Sequence, residues 1–97
     1  MEYRPNRRDT HVKVRMVIDD MILDALMVDI SRDGARLAFP GDLLPGTAVT
    51  LKVDGAEVDA LVHWSRRGHS GVRFLDRLAP ETLSMLESAA DQLAGFR

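Results

Sequence analysis

Apolar and polar residues alternate between residues 12 and 75, and this period of two predicts a series of short, half-buried β-strands. The second segment is apolar on both faces apart from Asp24, which indicates a strand inside a sheet. Six segments share this strand-like pattern, at residues 12–19, 22–30, 35–39, 47–53, 56–65 and 70–75.

Turn-forming residues separate the strand-like segments. Asp54-Gly55 is the strongest hairpin signal, because both residues tolerate a positive φ. The other predicted turns lie at residues 19–20, 32–34 and 66–68, with a connector at residues 43–46. Short antiparallel strands joined by turns are typical of a small β-barrel.

The period changes after residue 75. Pro80 suits a first helical turn and Gly95 suits a position just past a helix. Between them, apolar residues recur at helical spacing at Leu83, Leu86, Ala90 and Leu93. We predict an all-β fold in one domain over residues 1–97: a basic flexible arm (1–11), a six-stranded antiparallel β-barrel (12–75) and one capping α-helix (80–94).

Composition excludes several classes of function. The chain has no cysteine and a net charge of −2 at pH 7, and its 97 residues are 45% hydrophobic and 29% charged. No apolar run approaches the ~18 residues of a membrane span, and no signal peptide is evident. The acidic balance argues against a general nucleic-acid binder. We expect no metal site, no cofactor, no catalytic triad and no membrane insertion, and a cytoplasmic location.

Positive charge is concentrated at the N-terminus. Residues 1–15 hold five basic groups against Glu2 and Asp9, whereas the remainder of the chain is acidic. The basic residues are Arg4, Arg7, Arg8, Lys13 and Arg15. A basic arm on an acidic body indicates a local anion-binding site, although a solvated terminus would have the same composition.

A turn rich in polar residues follows the second predicted strand, with the sequence DISRDG at residues 29–34. In a purely structural interpretation, Asp29 and Ser31 satisfy backbone donors and Gly34 supplies a positive φ. In a functional one, the Asp29 carboxylate accepts two hydrogen bonds from a guanine edge, the Ser31 hydroxyl reaches a phosphate or base, and Gly34 allows a ligand near the backbone.

With the upstream arginines, this turn resembles the signature of PilZ domains, the bacterial receptor modules for cyclic di-GMP. That family has an RxxxR motif before the first strand, matched by Arg4 and Arg8, and a [D/N]xSxxG motif between the second and third strands. The DISRDG stretch matches the second motif without a gap. The resemblance covers essentially the whole chain and implies a six-stranded barrel with a C-terminal helix.

The resemblance also implies a site and a function. Cyclic di-GMP would bind Arg4, Arg7, Arg8, Asp29, Ser31 and Gly34, and the signal would pass to an unidentified effector protein in motility, polysaccharide or biofilm control. His11 stands where the family's second arginine usually abuts the first strand. It motivates an alternative, an adaptor that binds no nucleotide. A third hypothesis is a nucleic-acid binder that uses the basic arm.

Trp64 is the only tryptophan, and its place in an alternating strand predicts a core or helix-facing position. The alternative is a stacking surface for a base. Arg66 and Arg67 follow it in a predicted turn, where we expect solvated side chains.

Overall fold

A computed structural model describes residues 8–53 and 55–94 of the chain. It contains six strands and one helix, in the order β1 (Arg8–Ile18), β2 (Met21–Ile30), β3 (Gly34–Ala38), β4 (Ala48–Val53), β5 (Ala56–Arg66), β6 (His69–Phe74) and α1 (Pro80–Ala94). No helix among these residues is long and apolar enough to cross a membrane.

The six strands close into a barrel, and every neighbouring pair is antiparallel. The strand order around the barrel is β1-β2-β3-β6-β5-β4. Alternate residues of each strand point inward and form the core, as in β4, where Val49, Leu51 and Val53 are buried. The predicted fold, a six-stranded antiparallel barrel with a C-terminal helix, is confirmed.

Strand β1 begins at Arg8, four residues before the predicted start at residue 12. Arg8 pairs with Ile30 and Asp9 pairs with Asp29 on β2, so this part of the predicted arm belongs to the barrel. The register shifts between Asp9 and Val12, which marks a β-bulge. A bulge interrupts the alternation of apolar residues, and the sequence pattern therefore detects only the later part of the strand.

Three hairpin turns among the described residues use backbone conformations with positive φ, as does Gly46 in the connector before β4. Asp19 adopts a φ of 54° between β1 and β2, as the predicted Asp-Asp turn allows. Arg67 and Gly68 adopt φ values of 51° and 79° between β5 and β6, the geometry of a tight hairpin. Gly55 has a φ of 87° between β4 and β5, and its predicted partner Asp54 lies outside the described residues.

Helix α1 occupies the residues at which the sequence pattern predicts it and packs against β1. Leu86 is 2% exposed and Leu78, just before the helix, is 5% exposed, and both belong to the barrel core. Leu83 packs against the same cluster. The predicted helix end at Gly95 lies outside the described residues.

Candidate functional site

The turn between β2 and β3, residues 31–33, is held together by Ser31. The backbone N–H of Ser31 donates to the carbonyl oxygen of Gly34 at 2.9 Å, and its hydroxyl donates to the same oxygen at 3.4 Å. The hydroxyl also accepts a hydrogen bond from the N–H of Asp33 at 3.2 Å. Ser31 is buried, so its hydroxyl serves the turn.

The close approach of β6 requires a residue without a side chain at Gly34. Its φ is not among the positive values of the described residues, so the predicted positive φ is wrong. A Cβ at this position would overlap the carbonyl oxygen of Val72 on β6 and lie 3.4 Å from the Cα of Arg73. The missing side chain therefore allows β3 and β6 to approach closely, and no open space for a ligand lies in the Cβ direction.

Asp29 begins a row of paired residues that crosses four strands of the barrel. Asp29 on β2 pairs with Arg36 on β3. Arg36 pairs with Gly71 on β6, and Gly71 pairs with Trp64 on β5. We call these four residues the outer row. Three spacings between strands make it about 14 Å long.

The outer row lies on the outside of the barrel. The residues next to it along the strands, Ile30, Leu37 and Val72, are buried in the core, and successive side chains of a strand point to opposite faces. Asp29 is nevertheless only 1% exposed. Nε of Arg36 is also buried, and it has no hydrogen-bond partner among the described residues. The guanidinium group of Arg36 therefore has a hydrogen-bond donor to spare beside Asp29.

Further arginines surround the outer row. Arg73 lies two residues after Gly71 on β6, and Arg66 lies two residues after Trp64 on β5, so each shares the outward direction of its neighbour. Both side chains are exposed. The guanidinium carbon of Arg66 lies 5.8 Å from the centroid of the Trp64 ring, within range of a cation–π interaction. This side of the barrel therefore combines positive charge with an aromatic ring.

Trp64 lies on the outer surface, and the prediction of a core or helix-facing position is wrong. The register of β5 and β6 shifts between Val62 and Trp64, which turns the indole outward. The ring covers Gly71, where a Cβ would overlap its Nε1 atom. Trp64 is only half-buried. Its sequence position could not reveal this, because the β-bulge changes which face each later residue occupies.

Of the three arginines predicted to bind the ligand, Arg8 alone falls on the described backbone. It pairs with Ile30 at the end of β2, next to the strand position of Asp29. Arg4 and Arg7 lie outside the described residues. The structure thus brings Arg8, Asp29, Ser31 and Gly34 to the same end of the barrel, and it adds three residues that sequence reasoning left out of the site: Arg36, Arg66 and Arg73.

A groove of about 790 Å³ lies elsewhere on the barrel, between β1, β2 and the β4–β5 hairpin. Its charges are mixed: Lys13, Arg15 and Lys52 are balanced in part by Asp24 and Glu57. Lys52 already pairs with Glu57 at 3.7 Å. Among the residues that the structure describes, none of the outer row or of the predicted site lines it, so we place the candidate site on the outer row, where a buried guanidinium donor is unsatisfied.

Comparison with known proteins gives a consistent result. A family model described as PilZ domain matches residues 2–92. The PilZ domain of CeSA from a cellulose-synthesizing bacterium is similar in structure, with a TM-score of 0.63 and 19% identity over 91% of this chain and 97% of that one. No curated protein matches.

The inhibitor of motility MotI/DgrA of Bacillus subtilis is also similar, with a TM-score of 0.64 and 15% identity over 100% of this chain. The chain spans 54% of that protein's length. At these identities the likeness concerns the fold. PilZ domains are in general binding modules, receptors for cyclic di-GMP, rather than enzymes. Because the family model matches nearly the whole chain, this protein belongs to the PilZ domain family.

Proposed function

We propose that this protein is a receptor that binds cyclic di-GMP on the outer row and passes the signal to a partner protein. The observation that carries the proposal is the unsatisfied Nε donor of Arg36, buried directly across from Asp29 and two strands away from Trp64. Membership of the PilZ family supports cyclic di-GMP as the ligand.

Asp29 and Arg36 are suited to opposite parts of a guanine nucleotide. A carboxylate accepts hydrogen bonds from the N1–H and N2–H edge of guanine, whereas a guanidinium group pairs with phosphate through two parallel hydrogen bonds. Arg73 adds a second exposed guanidinium on the neighbouring strand. We also assign Arg4, Arg7 and Arg8 to the phosphates, on the strength of the RxxxR motif.

Trp64 and Arg66 are suited to a base. An exposed indole stacks on any base, and a neighbouring guanidinium strengthens the contact. Together with Asp29 at the other end of the row, they provide contacts for two guanines separated by phosphates. Ser31 and Gly34 would contribute by holding the turn and the strands in place, since their hydrogen bonds and close contacts lie within the barrel.

Burial of Asp29 implies a rearrangement when the ligand binds. At 1% exposure, the carboxylate meets a base only after the atoms that cover it have moved. We propose that the ligand phosphates pair with the N-terminal arginines and hold them over the outer row. The partner would then bind the surface formed in this way. This is a conformational switch, in which the ligand favours one arrangement of the N-terminal segment.

We expect the receptor to act in the cytoplasm and to control motility, surface polysaccharide or biofilm formation. Two structural neighbours suggest these classes: one is the PilZ domain of CeSA from a cellulose-synthesizing bacterium and the other is an inhibitor of motility. We propose an effector protein as the partner, because members of the PilZ family interact with effectors.

A second candidate function is that of an adaptor that binds no nucleotide. Two observations favour it: the hydroxyl of Ser31 is engaged within its own turn, and Asp29 is closed off from solvent. His11 in place of the usual second arginine points the same way, because a neutral imidazole cannot replace a bidentate guanidinium. In this case the outer row would bind a protein directly.

Isothermal titration of cyclic di-GMP into the purified protein separates the two functions. The receptor predicts saturable binding that cyclic di-AMP and GMP do not reproduce. Asp29→Asn removes the acceptor charge at constant size, and Arg36→Ala removes the unsatisfied donor, so each should weaken binding at least about tenfold. Lys52→Ala, in an exposed ion pair off the outer row, is the matched control and should bind like the wild type.

Absence of binding heat, together with an unchanged melting temperature at high ligand concentration, would overturn the receptor and leave the adaptor. Equal binding by wild type and both outer-row variants would show that the ligand occupies another surface.

A further inference from the structure

Arg32 connects the β2–β3 turn to the segment that leads into helix α1, residues 75–79. The N–H of Leu78 donates to the carbonyl oxygen of Arg32 at 2.8 Å. In return, Nε of Arg32 donates to the carbonyl oxygen of Leu78, also at 2.8 Å. This reciprocal pair uses both backbone groups of Leu78 and fixes the segment two residues before the helix begins.

Asp33 makes two further contacts with the same region. Its carbonyl oxygen accepts a hydrogen bond from the N–H of Phe74 at 2.8 Å, which extends the pairing of β6 past the start of β3. Its carboxylate pairs with Nε of Arg77 at 2.9 Å, but both side chains are more than 60% exposed. Solvent weakens such a pair, whereas the bond from Arg32 is partly buried and retains more of its strength.

The β2–β3 turn therefore contacts two parts of the protein. It directly follows the end of β2, where Asp29 of the outer row lies, and it is hydrogen-bonded to residues 75–79, which lead into α1. We infer that Arg32 is a positioning residue that couples occupancy of the outer row to the stability of helix α1. The inference rests on the proposed function, because it requires a ligand at Asp29.

Coupling follows from a shared conformation of the turn. We propose that release of helix α1 from the barrel opens the reciprocal pair between Arg32 and Leu78, which lies two residues before the helix. Local opening of this kind occurs in native proteins. A ligand that binds the turn in its closed conformation makes opening rarer. By linkage, a partner that captures the released helix would weaken ligand binding by the same factor.

Hydrogen exchange of the α1 amides measures this coupling. In the wild type, saturating cyclic di-GMP should slow their exchange about tenfold, within the usual range of coupling between sites. Arg32→Met keeps the aliphatic stem but removes the donor. Its affinity for cyclic di-GMP should stay within about twofold of the wild type, because Arg32 lies outside the outer row, and the ligand should slow α1 exchange less than about twofold.

Two more variants complete the design. Arg77→Ala removes the exposed ion pair to the same turn and should behave like the wild type. Arg32→Lys keeps the charge, but a methylene group takes the place of Nε and the ammonium donor lies one bond farther from the backbone, so the variant should retain only part of the effect. It also tests the coupling if Arg32→Met does not fold, because full coupling in the lysine variant would contradict a role for the Nε bond.

The outcomes separate the coupling from the proposed function. Ligand binding without a change in α1 exchange, or with an equal change in Arg32→Met, overturns the coupling and leaves the receptor intact. Absence of ligand binding in the wild type overturns the receptor, and the coupling with it.

Discussion

Two glycine-to-alanine substitutions distinguish residues that build the barrel from residues that carry the ligand surface. Gly34 and Gly71 both lie in strands, neither has a positive φ, and an added Cβ would overlap a neighbour at each position. The neighbours differ. At Gly34 all three nearest atoms belong to the backbone of β6, and at Gly71 all three belong to the indole of Trp64.

Gly34→Ala should destabilise the protein, because a strand has to move. Overpacking typically costs about 1–3 kcal/mol, and the lower entropy of the unfolded chain returns about 0.4–1 kcal/mol. The midpoints of the two ranges give a net loss of about 1.3 kcal/mol. For a domain of this size, that loss lowers the melting temperature by about 5–10 °C.

Gly71→Ala should leave stability within about 1 kcal/mol of the wild type, because the half-buried indole of Trp64 can turn aside. The displaced ring should emit at longer wavelength. Stacking of a base on an aromatic side chain contributes about 1–3 kcal/mol, so partial loss of the platform should weaken cyclic di-GMP binding about 5- to 10-fold.

Thermal melts by circular dichroism, tryptophan emission spectra and calorimetric titrations on both variants test this pair. We predict loss of stability in Gly34→Ala and loss of ligand affinity in Gly71→Ala. An unchanged melting temperature for Gly34→Ala, or wild-type emission and affinity for Gly71→Ala, would refute this prediction.

Three further predictions concern the core, an inner polar pair and the charge of the site. Leu86→Ala, at the buried face of α1, should cost about 2–5 kcal/mol in urea unfolding; a smaller loss would mean that the helix is not part of the core. Ser70→Ala removes the 2.9 Å hydroxyl contact with Ser65 and should cost about 1 kcal/mol without changing ligand affinity. Cyclic di-GMP affinity should fall as NaCl rises from about 0.05 to 0.5 M, because arginine–phosphate pairs are screened; salt-independent affinity would contradict them.

Strand number, strand order along the chain and the helix could be predicted from sequence because each depends on local patterns. Period-two alternation in β4 and helical spacing around Leu86 report burial directly, and the turn residues report where the chain reverses. The start of β1 was missed because the bulge between Asp9 and Val12 breaks the alternation.

The extent of the candidate site could not be predicted, because it depends on register between strands that are distant in sequence. Asp29 belongs to a recognisable motif, but its alignment with Arg36, Gly71 and Trp64 follows from three separate strand pairings. Two of those pairings include bulges, and a one-residue shift moves a side chain to the other face of a sheet. The reason for Gly34 was likewise hidden, since the carbonyl group of Val72 that excludes a Cβ lies on another strand.

The indole N–H signal of Trp64 offers the most direct test of the central claim that cyclic di-GMP binds along the outer row. As the only tryptophan, it contributes a single, isolated peak to an amide proton–nitrogen spectrum. We predict that titration with cyclic di-GMP shifts this peak and the amide peaks of Gly71 and Arg36 together, to saturation, while the amide peak of Lys52 does not shift. Saturable binding with an unmoved Trp64 signal, or shifts confined to the groove beside Lys52, would contradict it.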